Sequence, residues 1–221
     1  MNKINILLLL FTFNFAFSQV IEKGNDNKLS EFKYEEKAII KVFRSPNKNK
    51  SELFSSINKW IALNYNSPEN VIQMNDKESG HIVVKGTNTA PYINLKTFLY
   101  PKNKSIPKSI SSNFNHSIEI DIKEDKYRVT YKITDIIQEN KRSNYLLFNC
   151  VNFIEKNNFS INAYRNYTEV LLKQGMYGKK KTTVLLSNVD LMIDELNKNL
   201  LKSMENTVLS IEKFVVKDDK W

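Results

Sequence analysis

The side chains of this sequence with the most obvious chemical reach are two histidines, one cysteine and a closely spaced pair of acids. Asp76 and Glu78 stand two residues apart, His81 follows them, and His116 lies further along the chain. Carboxylates beside histidine can do general acid and base work, and the same groups are metal ligands. Neither histidine belongs to a local metal spacing such as H-E-x-x-H. Asp76 and Glu78 sit in a polar stretch closed by Gly80 and flanked by the apolar runs Val71-Ile72 and Ile82-Val83-Val84, the pattern of a hairpin whose tip carries solvated acids. His81 and His116 each start a strand. Antiparallel neighbours place strand starts at opposite ends, so no metal site and no cofactor is expected and no catalytic residue is assigned. Cys150 is surrounded in sequence by Leu146, Leu147, Phe148, Val151 and Phe153, which describes a buried, inert thiol with no disulfide partner.

The element that must organise these residues is a hairpin over residues 117–134. Ile118, Ile120 and Ile122 alternate with Glu119, Asp121 and Lys123, and in the second arm Tyr127, Val129, Tyr131 and Ile133 alternate with Arg128, Thr130 and Lys132. An even loop at Glu124 and Asp125 sets Ile122 against Tyr127, Ile120 against Val129, Ile118 against Tyr131 and Asp121 against Arg128. An odd loop would oppose apolar and charged residues, so the buried face fixes the register. The hairpin needs more strands and a helical cover. Residues 34–43 supply a strand, with Ala38, Ile40 and Val42 on one face and Lys37 and Lys41 on the other. Ser51 then caps a helix in which Leu53, Phe54, Ile57, Trp60 and Ile61 recur at helical spacing. A last helix, capped by Ser187 or Asn188, carries the stripe Val189, Met192, Ile193, Leu196, Leu200, Met204, Val208 and Ile211.

Two segments interrupt this plan. Residues 87–115 are expected to lengthen a strand around Tyr92 and Ile93 and then to loop out between Pro101 and Pro107. Residues 139–186 hold apolar material that fits either a helix or further strands, then a flexible basic loop at Lys179, Lys180 and Lys181 and a short strand at residues 182–186. At the N-terminus, Lys3, the apolar run 4–17 and Ala16-Phe17-Ser18 before Gln19 describe a secretory signal peptide. The run is shorter than the ~20 residues of a spanning helix, so no transmembrane segment is expected in the mature chain. The organisation expected is therefore a signal peptide at 1–18, a flexible arm at 19–33, one domain at 34–211 with insertions at 87–115 and 139–186, and a tail at 212–221. The net charge is +9, and removing residues 1–18 takes away Lys3 and no acid, leaving +8. A basic exported protein meets anionic envelope components more often than nucleic acid.

The helix ending in Trp60, the segment Val71-Ile72-Gln73, the turn Asp76-Lys77-Glu78-x-Gly80, Lys85-Gly86 and Lys126-Tyr127-Arg128 together resemble an exported bacterial family known only as a domain of unknown function with a TATA-binding-protein-like fold. The resemblance covers residues 34–135 and the last helix. It implies an α+β fold, a curved antiparallel sheet in β-α-β-β-β-β-α order with two helices on one face and an extra segment before the last helix. It brings no catalytic residues. The family carries a glycine in the last hairpin turn where this chain has Glu124-Asp125.

The fold name invites a nucleic-acid reading, but a minor-groove saddle needs a cationic face, and here Glu119 and Asp121 sit in the middle of it. The expectation is a non-catalytic exported module that binds a protein, peptide or anionic envelope component. Its contact residues would be Glu119, Asp121, Lys123, Arg128, Thr130 and Lys132, with Lys179, Lys180 and Lys181 as an anionic-surface contact. The alternative is an envelope hydrolase with a site built from His81, His116, Asp76 and Glu78.

Overall fold

The computed structural model describes residues 31–137 and 140–217, so the expected signal peptide at 1–18 and residues 19–30 of the expected arm lie outside the described residues. In chain order the elements are β1 (Lys33–Tyr34), β2 (Ala38–Arg44), α1 (Lys50–Asn64), α2 (Pro68–Val71), β3 (Ile72–Asp76), β4 (His81–Ile93), α3 (Lys96–Leu99), β5 (Ser109–Lys123), β6 (Lys126–Ile137), α4 (Lys141–Asn149), α5 (Asn158–Gln174), α6 (Lys179–Ser187) and α7 (Val189–Lys217). The six strands form one unclosed sheet in the order β1-β2-β6-β5-β4-β3, antiparallel throughout. Apart from the two-residue β1, the strand-helix-four-strand-helix order and the α+β class are those the sequence implied.

The central hairpin has the expected register, with Ile122 opposite Tyr127, Ile120 opposite Val129, Ile118 opposite Tyr131 and Asp121 opposite Arg128. Its turn departs from glycine by placing Asp125 at φ 62°, a left-handed conformation that Asp tolerates better than most side chains. The backbone N–H of Ser45 donates to the Asp125 carbonyl at 2.6 Å, and that of Lys50 to Glu124 Oε2 at 3.1 Å, so the hairpin tip is tied to the loop before α1.

Helix α1 is capped by Asn49, not Ser51. Glu52 N–H donates to Asn49 Oδ1 at 3.0 Å and Asn49 N–H donates to Glu52 Oε2 at 2.8 Å. The reciprocal box needs its acid three residues after the cap, and only Asn49 meets that spacing. Its face of Leu53, Phe54, Ile57, Trp60 and Ile61 enters the same core as the stripe on α7. That stripe continues past Ile211 to Val215, and the helix runs on to Lys217. Each such side chain buried is worth about 1.5–3 kcal/mol, which makes α7, about 40 Å long, the principal cover of the sheet.

Ala38, Ile40 and Val42 share one face of β2 with Lys41 on the other, as expected, and the apolar trio is on the open side. Ile39 and Phe43 enter the core opposite Tyr131 and Tyr127, while Ala38, Ile40 and Val42 lie on the other face beside Lys132, Thr130 and Arg128. Phe43 stacks on Tyr127 at 4.9 Å between ring centroids. Lys41, on the core side, sets its Nζ over the rings of Phe32 and Phe43, 4.9 and 5.0 Å from their centroids, and 4.0 Å from Glu212.

Strands β4 and β5 pair continuously from His81 and Asp121 to Ile93 and Ser109, so only residues 94–108 loop out. Asn94 holds that loop, donating through Nδ2 to the Pro107 carbonyl at 3.0 Å and accepting from Lys96 N–H at 3.1 Å. The segment that fitted either helix or strand is helical. Leu147, Cys150, Val151 and Ile161 join the core, so the extension packs on the side that α7 covers. The expected strand at 182–186 and the expected basic loop are both corrected to α6, in which Thr182 and Leu185 are buried at helical spacing and Lys179, Lys180 and Lys181 form the first turn. Burial raises the Cys150 thiol to about 12, as an inert core cysteine should be.

Candidate functional site

With the helices on one face, the other face of the sheet is open, and the ladder pairings arrange it in transverse rows. Nearest the β5–β6 turn, Lys123, Lys126 and Arg44 stand opposite one another. The next row runs Asp76, His81, Asp121, Arg128, Val42, and the one after it Met74, Val83, Glu119, Thr130, Ile40. A further row holds Lys85, Ser117, Lys132 and Ala38. All six residues expected on the exposed face, Glu119, Asp121, Lys123, Arg128, Thr130 and Lys132, are therefore on it, and the extension leaves Glu119, Lys123, Arg128 and Lys132 exposed.

Asp121 is the hub. Arg128 donates to Asp121 Oδ2 through Nη2 at 2.7 Å and Nε at 3.1 Å, and His81 Nδ1 lies 2.8 Å from Oδ1. Partial burial works against ionisation of Asp121, but the hydrogen bonds from Arg128 and His81 outweigh it and hold the carboxyl below its ordinary range. An ionised carboxylate only accepts, so Nδ1 of His81 is the donor to Asp121. Between this hub and the cationic row lies a cleft of about 360 Å3, lined by Val42, Arg44, Asp121, Lys123, Lys126, Tyr127 and Arg128. Lys123 and Lys126 are like charges directly opposite each other on adjacent strands, and an anion placed between them relieves their repulsion.

The histidines do not meet. His81 is on the open face and His116, opposite Gly86, is on the core face, where Tyr65 Oη lies 3.1 Å from its Nε2 and burial pushes the imidazole down to about 4. Asp76 is occupied by its own turn. Ser79 lowers its pKa most, and Oδ1 accepts from the backbone N–H groups of Glu78 at 2.9 Å and Ser79 at 3.1 Å. The set weighed for a hydrolase is thus split between two faces of the sheet. No cluster of three or more metal-ligating side chains occurs among the described residues. Lys179, Lys180 and Lys181 line a separate surface depression with Tyr100 and Tyr177, and Lys181 Nζ donates to Tyr100 Oη at 3.2 Å.

Residues 40–138 match the family model of DUF4468, a domain of unknown function with a TBP-like fold. Two solved structures are similar. One is a DUF4468 family protein from Bacteroides ovatus, 16% identical, covering 47% of this chain and 57% of that one at a TM-score of 0.37. The other is a TBP-like protein from Parabacteroides distasonis, 14% identical, covering 76% of this chain and 92% of that one at a TM-score of 0.36. This chain therefore spans little more than half of the first. No curated protein matches. The DUF4468 match takes in β3 to β6 with most of β2, including every residue of the hub, and the extension from α4 onward lies beyond it.

What sequence reasoning missed on this face are Arg44, Lys126, Val42 and His81. Val42 was grouped with Ala38 and Ile40, but the sequence did not say that their face, which Arg44 shares, is the open one. Lys126 was quoted only as part of a motif, although an even loop at Glu124 and Asp125 already placed it opposite Lys123.

Proposed function

We propose that the protein is an exported binding module whose open sheet face holds an acidic partner, a carboxylate-rich peptide segment of another envelope protein. The observation that carries this reading is the facing pair of cations Lys123 and Lys126, beside an Asp121 whose charge is already balanced by Arg128. Half-buried Ile40 and Val42 add an apolar floor against which a peptide can pack. Export is supported by Lys3, the apolar run 4–17 and the small residues before Gln19. Among the described residues no helix is long and apolar enough to cross a membrane.

The test is binding of a fluorescent glutamate-rich peptide to the mature chain and to the variant Lys123→Glu/Lys126→Glu. Binding that weakens with salt and is lost in the variant supports the proposal. Equal binding by both proteins, or no binding at low salt, overturns it.

A further inference from the structure

On the opposite side of the sheet, a second cleft of about 340 Å3 opens between the C-terminal end of α1, β4 and α7. Its floor is His116, 3% exposed, and Tyr131, fully buried; His116 Nδ1 lacks a hydrogen-bond partner, whereas Tyr131 Oη lies within reach of the Asn88 and Thr207 side chains. Thr207 also donates to the Ser203 carbonyl at 3.0 Å and Asn88 to Ser203 Oγ at 3.3 Å, which leaves the Thr207 hydroxyl oxygen able to accept. Buried polar atoms in folded proteins are nearly always paired, so an orphan ring nitrogen on a residue that lines this cleft points to something that pairs it.

The backbone makes room for this cleft. Gly86 lies in the middle of β4 directly opposite His116, and a Cβ there would stand 2.8 Å from Tyr65 Cε1 and 3.0 Å from His116 Cε1. The β5–β6 ladder also shifts register between Asn115 and His116, with Thr134 as the extra residue. A strand glycine at a close approach and a bulge beside it are both devices that re-aim side chains near sites.

The lining decides the chemistry. None of its residues carries a formal charge, and the buried imidazole is neutral at ordinary pH, so a charged ligand would be desolvated without a counter-charge. The amide and hydroxyl groups of Asn64, Asn66, Thr207 and Ser210 suit a partner that both donates and accepts, which a hydroxyl does. Trp60 and Tyr65 offer aromatic surface for the C–H face of a ring. The volume is well beyond the roughly 30 Å3 share of a single water and falls at the lower end of ligand pockets, about 300 Å3 upward. We propose that this cleft is a binding site for a neutral, hydroxyl-rich small molecule of the size of one sugar ring.

The experiment titrates the protein, 15N-labelled at histidine, with D-glucose, D-galactose, D-mannose and N-acetyl-D-glucosamine, and with D-glucuronate and D-glucosamine as charged counterparts. A saturable shift of the His116 ring nitrogens by at least one neutral sugar is expected, with charged counterparts at least about tenfold weaker. Thr207→Val, which removes one lining hydroxyl at constant shape, is expected to weaken that binding by about fivefold. Gly86→Ala, which drives Tyr65 into the cleft, is expected to abolish it. If Gly86→Ala does not fold, Thr207→Val carries the comparison. No saturable shift from any of the four sugars, equal affinity for charged and neutral probes, or unchanged affinity in the variants overturns the proposal. The variant Lys123→Glu/Lys126→Glu should bind the sugar as the natural chain does, which separates this cleft from the open face.

Discussion

His116 should make this protein acid-labile in a way that one substitution removes. The imidazole is buried between Tyr65 and Tyr131, whose phenols are both raised by burial and stay neutral through the acid range. With the folded pKa at about 4 against 6.5 when unfolded, the neutral ring is favoured by folding. Stability is therefore fully present above pH 6.5 and is lost as the pH falls towards 4, because the unfolded chain takes up the proton first. The separation of the two values sets a ceiling of about 3 kcal/mol, of which about 2 kcal/mol is lost between pH 7 and pH 5. Carboxylates titrate over part of the same range, so the measurement is a difference. Urea unfolding free energies of the natural chain and of His116→Phe are taken at pH 7, 6 and 5. Phe cannot titrate, and its stability relative to the natural chain should rise by about 2 kcal/mol over that span. A gap that stays constant within about 0.5 kcal/mol would show that the ring accepts its proton in the folded state and would refute the reasoning.

Gly80 stands at φ 76° where a Cβ would meet the Ile122 carbonyl oxygen at 2.4 Å, so Gly80→Ala should lower stability by about 2–3 kcal/mol in urea titration. By contrast Asp125→Gly, which relieves a left-handed backbone at the expense of a freer unfolded chain, should change stability by no more than about 1 kcal/mol, in the stabilising direction. Arg128→Ala breaks an exposed ion pair and should cost about 1 kcal/mol or less, with little change in thermal midpoint. The first turn of α6 should make the protein bind phosphatidylglycerol vesicles in a salt-sensitive way, and Lys179→Gln/Lys180→Gln/Lys181→Gln should reduce co-sedimentation; equal retention at low and high salt would count against that contact.

How far the sequence reached depended on whether a segment had one apolar face or two. In β5 and β6 every second residue is charged or polar, so alternation fixed the faces, the register and the Asp121–Arg128 pair together. In β2, Ile39, Ile40, Val42 and Phe43 are apolar on both sides, and the choice between them is made by Phe43 stacking on Tyr127 across a neighbouring strand. Local pattern holds no record of that contact. The same limit explains α6, whose Thr-Thr-Val run reads as strand until Thr182 and Leu185 find the core. It also explains why the cleft beneath the sheet could not be foreseen. His116 continues the alternation of Ile118 and Ile120 and so looks like one more core position. Only the three-dimensional approach of Tyr65, Gly86 and Tyr131 shows that this core position has an unpaired ring nitrogen. A polar residue at the end of an apolar alternation, opposite a strand glycine, is the one signal in the sequence that could have drawn attention to it.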